Sequence, residues 1–103
     1  IADFLYSDSY NGPLWYRGMV KTGSEYSPIK DADVQTLLDE YNVERIIVGH
    51  TENSRVKYTY SGKVYDICVN HPKAFEKEPR AVLIKDGEIK AVNDKGELVT
   101  IKK

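Results

Sequence analysis

Residues 31 to 50, DADVQTLLDEYNVERIIVGH, combine a helix pattern with a strand pattern, and this step decides the fold. Apolar residues recur at the spacing of one helix face, namely Val34, Leu37, Leu38 and Tyr41. Asp31 is placed to act as the N-cap of this helix. The apolar run of residues 46 to 48 follows after a short step and predicts a strand that is covered on both faces. The sequence therefore predicts one main helix that leads into a strand.

The rest of the chain predicts strands joined by short turns. A hairpin is indicated around Ser61-Gly62, and a meander around Asp86-Gly87 and Lys95-Gly96, because such pairs favour tight turns between β-branched segments. The five later strand patterns cover residues 54 to 60, 63 to 69, 80 to 84, 88 to 92 and 97 to 101. The fold class is therefore predicted as α+β, with a mostly antiparallel sheet of about five to six strands.

Composition limits the classes of function. The chain has 103 residues, of which 41% are hydrophobic, and this suits one modest core. Its 15 basic and 16 acidic side chains give a net charge of -1, so no broad basic surface for nucleic acid is expected. No run is long enough to span a membrane. The single cysteine, Cys68, excludes an internal disulfide and a cysteine zinc cluster, and is expected in the core.

Arg17 is the first candidate functional residue, in the segment GPLWYRG at residues 12 to 18. One interpretation is that its aliphatic stem covers Trp15 or Tyr16 while the guanidinium reaches water or a carboxylate. The other is that the flanking glycines let the backbone bend so that the guanidinium binds phosphate oxygens. Tyr16 is a further candidate in the same segment.

His50 follows an apolar strand and a glycine, at a position where strands present functional side chains. It is a candidate metal ligand, general base or capping residue. Asp66, on a predicted strand, could accept a hydrogen bond from His50 or pair with a lysine. His71 lies in a polar loop beside a proline, where a solvated histidine is expected. No set of residues in the chain completes a metal site or a nucleophilic triad alone.

Together, GPLWYRG and the later YNVERIIVGHT, separated by a helix, resemble the C-terminal half of a calcineurin-like metallophosphoesterase. The resemblance spans nearly all of the chain and is nearest to bacterial members similar to the serine/threonine and Shewanella-like phosphatase groups. It implies the C-terminal part of an αββα sandwich, with residues 1 to 103 forming an incomplete domain. It also implies that Arg17 contacts the phosphate of the substrate and that His50 ligates one of two divalent metal ions, Mn, Fe or Zn. The remaining metal-ligand motifs of that family lie upstream of anything present in this chain.

Three functions are therefore open. The first is part of a metal-dependent phosphoesterase, inactive alone, which acts on a phosphorylated substrate together with its N-terminal half. The second is a small β-rich binding module that uses Arg17, Trp15 and nearby tyrosines without catalysis. The third is a scaffold without a present function. The apolar strand predicts self-association or association with the missing half.

The first residue, Ile1, is not a methionine, which suggests a processed or trimmed polypeptide. No signal peptide is visible. Both the cytoplasm and the periplasm therefore stay open as compartments.

Overall fold

A computed structural model of the chain describes residues 12, 16–21, 26–70 and 78–103. Within these residues the fold is α+β, with one α-helix and two sheets of three strands each. The predicted class is confirmed. The prediction of one sheet with five to six strands is wrong, because the six strands are divided between two sheets.

The helix, α1, spans Asp31–Tyr41 and thus begins at the residue that was predicted as its N-cap. Lys30 is the N-cap and makes no side-chain capping bond, so the prediction that Asp31 is the N-cap is wrong. Asp31 instead lies in the first turn, where a carboxylate interacts favourably with the helix dipole. Its Oδ2 accepts a hydrogen bond from Lys63 Nζ at 2.9 Å, which ties the helix start to the chain between two later strands.

The C-terminal end of α1 is closed by backbone hydrogen bonds. Asn42 adopts a left-handed conformation with φ 50°, and the N–H of Val43 donates to the carbonyl of Leu38 at 3.0 Å. Val34 and Leu38 are buried as predicted, but Tyr41 is 72% exposed and does not belong to the buried face. The described part of the chain holds no helix with the length and hydropathy needed to cross a membrane.

The first sheet contains β1 (Ile46–Val48), β2 (Lys57–Thr59) and β3 (Val64–Asp66) in the order β1-β3-β2. β1 runs parallel to β3, whereas β2 and β3 form the predicted antiparallel hairpin. Within the described residues, β1 is an edge strand, and Ile47 at its centre is 40% exposed. The prediction that this strand is covered on both faces is therefore wrong for the residues that the structure describes.

The connection between β2 and β3 is tighter than the strand patterns suggested. Tyr60, Ser61 and Gly62 have φ of 51°, 54° and 86°, so the chain leaves the strand at Tyr60. Positive φ is uncommon for residues other than glycine, and two such residues in succession indicate a constrained turn. This turn directs the Tyr60 side chain away from the hairpin ladder and toward the segment that carries Arg17.

The second sheet is the predicted meander. It contains β4 (Ala81–Lys85), β5 (Glu88–Val92) and β6 (Leu98–Val99), all antiparallel. Asp86 and Gly87 join β4 to β5 with φ of 52° and 78°, as in the hairpin turns that Asp-Gly favours.

The two sheets are in contact but do not form one continuous sheet. Lys57 forms one parallel bridge with Lys102, and the N–H of Tyr58 donates to the Lys102 carbonyl at 3.2 Å. Because β6 is two residues long and this bridge is isolated, no continuous ladder joins the sheets. A groove of about 390 Å³ lies beside the junction, lined by residues that include Tyr58, Tyr65, Ile89 and Ile101.

Candidate anion-binding site

Arg17 is held by the loop that follows β1. Its Nε and Nη2 donate to one acceptor, Thr51 Oγ1, at 3.1 and 2.7 Å. Its guanidinium carbon lies 5.8 Å from the centre of the Tyr26 ring, within the distance of a cation–π contact. Thr51 directly follows His50, so the two segments that the sequence singled out meet in the fold.

The guanidinium keeps hydrogen-bonding capacity beyond these two bonds. Arginine carries five N–H donors in a planar fork, of which Thr51 engages two. Among the described residues, no carboxylate lies within ion-pair distance of Arg17. A partly buried cation that is oriented by a neutral hydroxyl can still bind an anion through its remaining donors.

His50 occupies a strained turn at the end of β1. The N–H of Thr51 donates to the Gly49 carbonyl at 2.8 Å, which closes a three-residue turn around His50. The φ of His50 is 69°, which matches the rarer, strained form of the γ-turn. Residues in such regions cost roughly 1–3 kcal/mol and persist where the surrounding structure holds them. The side chain is exposed and therefore open to a ligand.

Asp66 stabilises the same loop, although not through His50. Its Oδ2 accepts from Asn53 Nδ2 at 2.7 Å, and its Oδ1 accepts from the N–H of Cys68 at 3.2 Å. The prediction that Asp66 pairs with His50 or with a lysine is not what the described residues show. Asn53 Nδ2 also donates to the Thr51 carbonyl at 3.0 Å. Asp66 is 2% exposed, so it supports the loop from the protein interior.

Two tyrosines fasten the segment that carries Arg17. The Tyr16 hydroxyl donates to the Ser27 carbonyl at 2.7 Å, and the Tyr60 hydroxyl donates to the Ile29 carbonyl at 2.6 Å. A longer contact of 3.4 Å joins the Tyr60 hydroxyl to the carbonyl of Gly18, which follows Arg17. A Cβ at Gly18 would overlap the Tyr16 ring, so this close packing requires glycine.

Burial is the main cause of a raised pKa at both tyrosine hydroxyls. The pKa of Tyr16 is raised by burial, then by the neighbouring Tyr60 and Asp33. The pKa of Tyr60 is raised by burial, then by Asp31. Both hydroxyls therefore stay protonated, and able to donate, to a higher pH than an exposed tyrosine.

The structure brings together more residues than the sequence indicated. Arg17, His50, Tyr16 and Asp66 were candidates, whereas Thr51, Asn53 and Tyr60 were not. The polar segment TEN after His50 was the available signal for the first two, because threonine and asparagine favour side-chain bonds to nearby backbone in loops. Trp15 and His71 lie outside the described residues.

The described residues do not form a metal site by themselves. No group of three or more histidine, cysteine, aspartate or glutamate side chains among them is arranged to hold a metal ion. The exposed imidazole of His50 can supply one nitrogen ligand, and a metal site needs several. The groove between the sheets contains neither Arg17 nor His50 in its lining.

Comparisons of this chain with protein-family models, with curated proteins and with solved structures find no match.

Proposed function

We propose that this chain is the C-terminal half of a calcineurin-like, metal-dependent phosphoesterase, in which Arg17 binds substrate phosphate and His50 ligates a metal ion. One observation carries the proposal: the guanidinium of Arg17 is bonded to Thr51, the residue next to His50. The resemblance assigned both residues to one site from motifs more than thirty positions apart. Their proximity in the fold is what a shared phosphate site requires.

Arg17 is suited to hold a phosphoryl group. Two of its donors are engaged by Thr51, which fixes the plane of the guanidinium before a ligand arrives. The others can bind phosphate oxygens in two places. A donor that is already oriented stabilises the negative charge that develops during phosphoryl transfer without a cost of reorganisation.

His50 fits the role of one metal ligand among several. Its side chain is exposed on a turn that the Asn53 and Asp66 hydrogen bonds hold in place. When bound, a pair of divalent ions, Mn, Fe or Zn, would polarise the phosphoryl group and activate a water molecule. The other ligands would come from the N-terminal half of the protein, which would also complete the αββα sandwich around the two sheets.

A binding module without catalysis is supported less well. Such a module would present exposed aromatic side chains beside Arg17. Of the described aromatic residues there, Tyr16 and Tyr26 are only partly exposed, and the Tyr16 hydroxyl is bonded to the Ser27 carbonyl.

The test is manganese-dependent hydrolysis of p-nitrophenyl phosphate by the chain together with its N-terminal half. Intact-mass spectrometry first establishes that both polypeptides, or one that contains them, are in the sample. Arg17→Gln is expected to lower kcat by about 100-fold or more, in line with the loss of one oriented donor. His50→Asn is expected to raise the manganese concentration needed for half-maximal activity.

Arg55→Gln is the matched control, because Arg55 pairs with Glu78 at 3.9 Å and does not contact Thr51. It is expected to keep the activity of the unchanged protein. Equal activities for Arg17→Gln and Arg55→Gln would contradict the proposal, as would hydrolysis that does not depend on added metal.

A further inference from the structure

Hydrogen bonds connect a buried carboxylate to the backbone of Thr51, the residue whose hydroxyl accepts from Arg17. Asp66 accepts from Asn53 Nδ2 at 2.7 Å, and the same amide group donates to the Thr51 carbonyl at 3.0 Å. Thr51 Oγ1 then accepts both bonds from Arg17. Each link is within hydrogen-bonding distance, and Asp66 and Thr51 are 2% and 8% exposed.

From this arrangement we infer that Asp66 and Asn53 are positioning residues for Arg17. They act through Thr51: Asp66 orients the amide of Asn53, the amide holds the Thr51 carbonyl, and this sets the direction of the Thr51 hydroxyl. In this role neither residue needs to contact phosphate directly. The part that concerns phosphate rests on the proposed function, whereas the part that concerns the orientation of Arg17 does not.

Both carboxyl oxygens of Asp66 accept hydrogen bonds, and this gives the amide of Asn53 one preferred orientation. A hydrogen bond to an ionised carboxylate is stronger than one between neutral groups. An asparagine side chain carries both donors and an acceptor, so its two flipped states would otherwise be close in energy. The NH₂ group faces Asp66 Oδ2 and the Thr51 carbonyl, and the flipped state would place an oxygen against both acceptors.

The backbone on both sides of Asn53 is also fixed. Its N–H donates to the Cys68 carbonyl at 2.9 Å, and its carbonyl accepts from the N–H of Asn70 at 2.9 Å. Asn70 Nδ2 in turn donates to Glu52 Oε2 at 2.9 Å. The loop is thus bound to the strand end that carries Asp66, which leaves the Asn53 side chain little freedom to relax if Asp66 changes.

The test follows the Nε–Hε signal of Arg17 in nitrogen-15 NMR spectra of the chain, assigned by its loss in Arg17→Lys. In the unchanged chain, the bond to Thr51 is expected to slow exchange of this hydrogen with water. Asn53→Ala and Asp66→Asn are both expected to shift the signal and to speed its exchange by about fivefold or more, since an intramolecular hydrogen bond contributes roughly a factor of this size.

Asn93→Ala is the matched control. Asn93 lies in the turn before β6, is 6% exposed, and accepts from the N–H groups of Lys95 and Glu97. Its replacement therefore removes a hydrogen-bonded asparagine, as Asn53→Ala does, but at a different place in the fold. This variant is expected to leave the Arg17 signal in place. If Asn53→Ala does not fold, Asp66→Asn gives the same test, because the amide keeps the size of the side chain and an acceptor for Cys68.

The double variant Asp66→Asn/Asn53→Asp separates positioning from general stability. It can restore a donor–acceptor pair between the two side chains with the polarity reversed, but the carboxylate at position 53 cannot donate to the Thr51 carbonyl. The Arg17 signal is expected to stay perturbed even if thermal stability recovers. Recovery of the signal together with stability would overturn the inference, as would an unchanged signal in Asn53→Ala and Asp66→Asn.

Addition of inorganic phosphate distinguishes this inference from the proposed function. If the variants move the Arg17 signal but phosphate does not affect it in the unchanged chain, the positioning role stands and the phosphate site fails. If phosphate binds and these variants weaken that binding while Asn93→Ala does not, both stand.

Discussion

At the scale of single residues, the proposed anion site depends on one hydroxyl. Thr51 Oγ1 accepts two bonds from Arg17 and is nearly buried, so no water replaces it easily as a partner. Threonine is suited to this position because its hydroxyl is short and stiff at χ1. A small neutral acceptor also leaves the positive charge of the guanidinium uncompensated, whereas a carboxylate would neutralise it.

Thr51→Val is expected to lower the free energy of unfolding by about 1 to 2 kcal/mol, because it leaves donors of a partly buried guanidinium without a partner. Urea denaturation measures the change. Thr36→Val is the control: the hydroxyl of Thr36 bonds the Ala32 carbonyl on the exposed surface of α1. Its effect is expected to stay within about 0.5 kcal/mol, as for most surface substitutions. Equal losses in the two variants would argue against a special role for Thr51.

At the scale of elements, the turn between β2 and β3 holds the segment that carries Arg17. Tyr60 leaves the hairpin in a left-handed conformation and donates to the Ile29 carbonyl just before α1. Lys63, directly after the turn, pairs with Asp31 at the start of the same helix. The turn therefore joins the helix start to the first sheet, and with Tyr16 it fixes the path of the chain around Arg17.

The raised pKa values of Tyr16 and Tyr60 predict a loss of stability in alkali. A hydroxyl whose pKa is higher in the folded than in the unfolded chain contributes stability that is fully present below the unfolded value, about 10 for tyrosine. That contribution is lost as the pH rises through the raised pKa. Asp31 and Asp33 oppose ionisation of the hydroxyls, and Lys63 pairs with Asp31.

Tyr60→Phe is therefore expected to be less stable than the unchanged chain near neutral pH and to lose less stability above pH 10. Thermal melting at a series of pH values measures both. Tyr41→Phe is the control, because the ring of Tyr41 is 72% exposed. If Tyr60→Phe loses stability above pH 10 as steeply as the unchanged chain, the loss of stability arises from the ionisation of another group.

Local pattern predicted the elements but not their assembly. The helix, the β2–β3 hairpin and the β4–β5 turn follow from periodicity and from Asp-Gly chemistry, which act over a few residues. The described strands form two sheets that are linked by an isolated bridge between Lys57 and Lys102, and no local pattern specifies such a long-range pairing. For the site, a family resemblance pointed to Arg17 and His50. The role of Thr51 is seen only in the structure, because its bond to Arg17 joins segments that are distant in the sequence.

At the scale of the whole molecule, both sheets end in strands without a described neighbour on one side. β1 is the edge of the first sheet, with Ile47 40% exposed, and β4 is the edge of the second. Leu83 and Ile84 on β4 are 45% and 48% exposed. Unpaired edges that carry apolar side chains pair readily with other strands.

The chain is expected to self-associate in dilute solution, or to bind the N-terminal half that the proposed function requires. Ile84→Lys is expected to lower the mass measured by light scattering, because a charge on an edge strand opposes pairing. Val43→Lys is the control, since Val43 is 47% exposed but lies outside the strands. A monomer at all concentrations for the unchanged chain would contradict this prediction.

The most direct measurement is a titration of the labelled chain with inorganic phosphate, followed by NMR. The Arg17 Nε–Hε signal and the backbone amide of His50 are expected to shift together and to fit one dissociation constant. Arg55, paired with Glu78 on the surface, is the reference within the same spectrum and is expected to stay in place. If Arg17 and Arg55 shift alike, or if neither Arg17 nor His50 responds, these two residues do not form one phosphate site.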